Sequence, residues 1–135
     1  LSPVPGLGLY SASKFAVRGY SLVAAMELAD KGIAVTAVCP DAVQTPMLDI
    51  QQGKAQTALT FSGPRALSAE EVVAAILGPV LQDRPFEISL PGWRGATAKL
   101  AGTLPQLGNK AISLFRKAGE KRQKLIQAGK KTTER

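Results

Sequence analysis

Ile33-Ala34-Val35-Thr36-Ala37-Val38-Cys39-Pro40 is the stretch that decides the fold. It is short, rich in β-branched residues and apolar on both faces, as a strand inside a parallel sheet is, and Pro40 ends it. Upstream, small and apolar residues recur at spacings of three and four from Tyr10 to Lys31 (Ala12, Phe15, Ala16, Leu22, Val23, Met26, Leu28), which predicts a helix stopped by Gly32. Residues 1–9 read as a Pro/Gly loop, and Pro40–Met47 as a loop at the strand's carboxyl end.

Downstream, residues 48–66 are polar and irregular and read as a mobile loop. Ser68-Ala-Glu-Glu71 is a capping box, so a helix is expected over about 69–82. Phe86–Leu90 reads as a second strand, closed by Pro91-Gly92, followed by a weakly helical segment and a basic helix over about 107–127. Helix, strand, loop, helix, strand is βαβ order, hence an α/β protein. Two strands make no stable sheet, so the expectation is the C-terminal part of a Rossmann-like doubly wound parallel sheet carrying a basic C-terminal helical extension. The boundaries read as 1–92 for the sheet domain and 93–135 for the extension.

Composition narrows the chemistry. In 135 residues there is one cysteine, Cys39, and no histidine, which removes disulfides, histidine triads and nearly all zinc sites. Without a membrane-length apolar run or a visible signal peptide, the reading is cytoplasmic. The net charge of +7 is unevenly spread: residues 1–93 carry six basic groups against eight acids (−2), residues 94–135 eleven against two (+9). That asymmetry suggests a surface for an anionic partner.

Tyr10-Ser11-Ala12-Ser13-Lys14 opens the first helix. At a spacing of four, Tyr10 and Lys14 share one face with Cβ atoms about 5–6 Å apart. A cation that close favours a phenolate and makes Tyr10 a candidate acid/base group; an ordinary Tyr and Lys at a helix start is the plain alternative.

This pentapeptide, followed some 25 residues later by the buried strand and Cys39-Pro40-Asp41-Ala42-Val43-Gln44-Thr45-Pro46-Met47, resembles the short-chain dehydrogenase/reductase family over residues 1 to about 92. The resemblance implies an oxidoreductase that exchanges hydride between NAD or NADP and a carbonyl or secondary alcohol. Tyr10 matches the general acid/base. Lys14 matches the residue that activates the tyrosine and holds the nicotinamide ribose. Pro40, Asp41, Val43 and Thr45 match the loop that positions the nicotinamide. Residues 46–66 match the substrate loop, with Met47, Leu48 and Phe61 as substrate-binding candidates, and the apolar set Met47, Leu48, Ile50, Leu59 and Phe61 points to a lipophilic substrate. A homo-oligomer follows by the same analogy.

Asp41 stands where the family has glycine; were φ positive there, Asp would tolerate it. Gly6-Leu-Gly8-Leu-Tyr10-Ser11 fails as a phosphate loop, and the family's upstream serine is not in the chain, which also begins without methionine. By itself, then, the chain should not turn over substrate, whereas a longer parent should.

The remaining features divide between plain and functional readings. Cys39 reads as a small core hydrophobe rather than a reactive thiol. Trp93 and Phe86 suit either core packing or a pocket wall. In the basic helix, Leu107, Ala111, Leu114, Phe115, Ala118 and Leu125 form one stripe, with Lys110, Arg116, Lys117, Lys121 and Lys124 across much of the opposite arc and Arg122 intruding. This pattern fits either a face packed on the domain, a tail, or a helix at an anionic membrane surface. The last is the alternative function: a non-catalytic binding or membrane-association module. Nucleic-acid binding is not expected, since aromatic interleaving, helix-turn-helix pattern and zinc ligands are all missing.

Overall fold

The computed structural model describes residues 3–133. Helix α1, Gly8–Ala29, leads through a turn at Gly32 (φ +73°) into strand β1, Ala37–Pro40. Helix α2, Pro46–Gln51, and a 3₁₀ turn, Ala55–Phe61, come next. Helix α3, Ala69–Ala75, runs through a widened turn, Ile76–Val80, into the short helix α4, Leu81–Asp83. Strand β2, Glu87–Leu90, precedes helices α5, Gly92–Thr103, and α6, Pro105–Thr133. The two strands pair in parallel, Ala37 with Glu87 through Pro40 with Leu90. The α/β class with a parallel pair is therefore as expected.

Three expectations need correction. The first strand is shorter than Ile33–Cys39 because pairing begins only where Ala37 N–H reaches the Phe86 carbonyl (2.9 Å). Residues 48–66 are not irregular: Pro46 starts a helical turn from Thr45, and Thr57 Oγ1 donates to the Gln51 and Lys54 carbonyls (2.6 and 2.9 Å), winding the following 3₁₀ turn. The helix expected over 69–82 holds its capping box, Glu71 N–H to Ser68 Oγ and Ser68 N–H to Glu71 carboxylate, but breaks at Gly78-Pro79. Pro79 has no N–H and its ring crowds the carbonyl four residues back, so the turn widens.

Glu87, at the start of β2, ties the layers together. Its side chain is buried and ion-paired with both Arg18 of α1 and Lys99 of α5. Burial pushes the carboxyl pKa up, but the hydrogen bonds from Arg18 and Lys99 outweigh it and hold the group below its ordinary value of 4.5. A carboxylate depressed in this way contributes stability that is present above pH 4.5 and lost as pH falls through the lowered value. Glu87→Gln should accordingly cost about 2 kcal/mol at neutral pH and flatten the acid limb of a stability–pH curve measured by urea unfolding.

The C-terminal helices pack by small residues. Gly95 of α5 lies against β2, where a Cβ would sit 2.1 Å from Ser89 Cβ. Gly108 of α6 faces the Ala101 carbonyl of α5, and Gly119 faces the Ala58 carbonyl of the 3₁₀ turn. Buried Gln123 donates toward the Lys54 carbonyl and Thr57 Oγ1 (both 3.4 Å), and Arg122 donates to the Gly63 carbonyl (2.7 Å). The apolar stripe does not make this contact: Leu114 and Leu125 are 70% and 64% exposed. The side chains of Leu107, Lys110 and Ala111 lie outside the described residues.

Candidate active site

Helix α1 places Tyr10 and Lys14 one turn apart, and the Lys14 ammonium lies 5.4 Å from the centre of the Tyr10 ring. At that range the ammonium is attracted to the π face of the phenol. Tyr10 is 49% exposed. Ser13 Oγ donates to the Tyr10 carbonyl (2.8 Å), while Ser11 Oγ accepts from Val4 N–H (3.2 Å) and holds the entering chain.

The direction of α1 sets where this pair lies relative to the sheet. Ala25 and Ala29 share a small groove with Ile33–Val35 and Phe86, residues that precede the two strands. Arg18 meets Glu87 at the strand start. The helix thus runs antiparallel to β1. Tyr10, eight residues before Arg18 and so about 12 Å further along the helix, is carried toward the carboxyl ends of the strands. Open α/β sheets bind ligands at those ends.

The loop at the carboxyl end of β1 is tightly tied. Pro40 pairs with Leu90, and Asp41 N–H donates to the Leu90 carbonyl (2.7 Å). The Asp41 carboxylate is ion-paired with Arg94 of α5, whose guanidinium also donates to Ser62 Oγ (3.0 Å) and lies over the Trp93 ring (5.7 Å). Asp41 does not take a positive φ; among the described residues other than glycine only Arg84 does. Its presence in place of glycine therefore costs no backbone strain, and its charge is met by Arg94. Val43 bridges Leu67 in parallel, with Gln44 N–H to Leu67 O and Leu67 N–H to Ala42 O, each 2.8 Å, which closes the 44–66 excursion at its base. Thr45 Oγ1 donates to the Val43 carbonyl (3.3 Å).

The substrate-loop candidates divide. Met47 and Ile50 are exposed, Leu59 is half-buried, and Leu48 and Phe61 are buried. Among the described residues no hydrogen bond joins Tyr10 or Lys14 to the 40–47 loop; what they share is an end of the sheet.

The family model for short chain dehydrogenase matches residues 1–55, which contain both the Tyr10–Lys14 pair and the whole of the 40–47 loop. Over this segment the chain is similar to the short-chain dehydrogenase family. A diacetyl reductase [(S)-acetoin forming] of Staphylococcus aureus is 46% identical over 86 residues, 63% of this chain and 32% of the relative. The enzyme of the same name in Staphylococcus epidermidis is 56% identical over 43 residues, 32% of this chain and 17% of the relative. A short-chain dehydrogenase/reductase of Armillaria gallica is 49% identical over 45 residues, 33% of this chain and 17% of the relative. These matches span a third or less of the relatives' length. No solved structure matches.

Several residues of this chain carry weight that sequence reading misses. In the sequence Arg94 is one basic residue among the eleven of 94–135, yet it fixes the loop through Asp41. Nothing in the sequence marks Glu87 out from other strand residues. The signal for the α6 contact was the pair Gly108 and Gly119, eleven residues and three turns apart on one face. Trp93 and Phe86 are 55% and 45% exposed, so neither is core; Phe86 borders the small groove at the strand starts. Burial raises the Cys39 thiol pKa and the Glu87 charge adds to the effect, so little thiolate forms, as suits a structural cysteine. Among the described residues no group of His, Cys, Asp and Glu could hold a metal, and no helix is long and apolar enough to cross a membrane.

Proposed function

We propose that the protein carrying this chain is an NAD(P)-dependent carbonyl reductase in which Tyr10 delivers the proton. The observation that carries the reading is the Lys14 ammonium 5.4 Å from the ring of an exposed tyrosine, at the ligand-binding end of a parallel strand pair.

A nicotinamide dinucleotide would supply the hydride. The residues fit such a group: an ammonium suits ribose hydroxyls, and the 40–47 loop carries no unmatched charge, because Arg94 meets Asp41. Lys14 would hold the ribose and stabilise the tyrosinate left after proton transfer. Val43 and Thr45 would contact the nicotinamide end, with Pro40 and Asp41 fixing the loop that presents them. Tyr10 Oη would protonate the carbonyl oxygen as hydride arrives at carbon, and would take that proton back in the reverse direction.

For the substrate we favour a small ketone or vicinal diketone over a lipophilic one. The names of the Staphylococcus relatives support this. So does the packing, since Leu48 and Phe61, two of the five residues that would form an apolar lining, are buried in the body.

The test is consumption of NADH or NADPH by the full-length protein with diacetyl. Turnover with at least one dinucleotide is expected; none with either sinks the proposal. Lys14→Met should raise the KM for dinucleotide roughly 10–100-fold, the loss of a charge-assisted hydrogen bond.

A further inference from the structure

Helix α6 presents one face to the body of the protein and another to solvent. Gly108, Gly119 and Gln123 face the body. On a helical projection Leu114, Ala118 and Leu125 fall within about 40° of one another, turned about 120° away from that contact. All three are exposed. Lys117, Lys121 and Lys124, also exposed, occupy the arc beside them. Arg116 is paired with Glu120 (3.2 Å), and Arg122 is committed to the Gly63 carbonyl.

This pattern differs from the exposed apolar face of α1. On α1, Leu9, Val17, Tyr20 and Met26 are exposed, but the basic residues there are engaged: Lys14 with the Tyr10 ring and Arg18 with Glu87. That face suits an apolar partner. The α6 face couples a narrow apolar stripe to a row of exposed lysines on the adjoining arc, within a segment of net charge +9. Shallow apolar insertion together with attraction to negative headgroups is what such a helix offers.

We propose that the outer face of α6 docks on an anionic lipid bilayer, with Leu114, Ala118 and Leu125 entering the headgroup boundary and Lys117, Lys121 and Lys124 meeting the headgroups. The contact is independent of the redox reading, since it uses neither Tyr10 nor the 40–47 loop.

The experiment is co-sedimentation of the intact protein with vesicles of phosphatidylcholine containing a minority of phosphatidylglycerol, against vesicles of phosphatidylcholine alone. Binding to the first and not the second is expected, and it should vanish above physiological salt. The triple variant K117Q/K121Q/K124Q should lower partitioning about 100-fold. L114S/L125S should also weaken it while leaving the salt dependence in place. Because these side chains face solvent, circular dichroism should be unchanged in both variants. Equal binding to the two vesicle types, or none to either, overturns the proposal. So does a fall in oligomer mass by light scattering in L114S/L125S, which would assign the stripe to a second copy. Tighter retention on duplex DNA than on the anionic vesicles would do the same.

Discussion

Gly119→Ala should destabilise the protein by about 3 kcal/mol, although alanine is the better helix former. The added Cβ would lie 1.9 Å from the Ala58 carbonyl oxygen and 2.7 Å from its carbon. Both atoms are backbone, and Ala58 is itself buried, so no side chain can swing aside. Helix α6 must lift from the 3₁₀ turn, and overpacking of this kind costs 1–3 kcal/mol. Lifting also weakens the bonds from Gln123 to Lys54 and Thr57 and from Arg122 to Gly63, each worth about 1 kcal/mol. In an exposed helix the same substitution gains up to about 1 kcal/mol. The sign of the change is therefore diagnostic.

Gly19, in the middle of α1 with nothing within 4 Å of a built Cβ, provides the control. Gly19→Ala should stabilise by about 0.5–1 kcal/mol. Urea midpoints at unchanged slope compare the two. Amide exchange should rise across 52–63 in Gly119→Ala alone, because α6 holds that segment from above. Were Gly119→Ala to stabilise as Gly19→Ala does, α6 would not be seated where the structure places it.

What could be foreseen from the sequence followed from local signals. The Ser68–Glu71 capping box, the stop at Gly32, the apolar run into Pro40 and the four-residue spacing of Tyr10 and Lys14 are each set by neighbours in the chain. The strand pair could be foreseen for the same reason, although its ends could not, since they depend on the partner strand.

Long-range contacts were hidden. Glu87 looks like any acid until Arg18 and Lys99 arrive from residues 69 and 12 positions away. The 46–61 stretch is polar and carries no helical period, yet Thr57 winds it and α6 covers it. In α6 the hydrophobic stripe says nothing of the face on which Gly108, Gly119 and Gln123 approach the body. Close approach needs small residues, and a hydropathy pattern does not register them.

The central claim, that Tyr10 is the proton donor beside a dinucleotide, is tested most directly by Tyr10→Phe in the full-length protein. The substitution removes one oxygen and keeps the ring, so the Lys14 contact and the packing of α1 survive. Losing a positioned general acid costs about 10²–10⁴ in rate, or roughly 3–5 kcal/mol of barrier. The measurement is single-turnover carbonyl reduction with saturating reduced dinucleotide, alongside dinucleotide affinity by fluorescence. A rate at least about 100-fold lower with affinity unchanged is expected; a rate close to that of the unsubstituted protein would contradict the assignment of Tyr10.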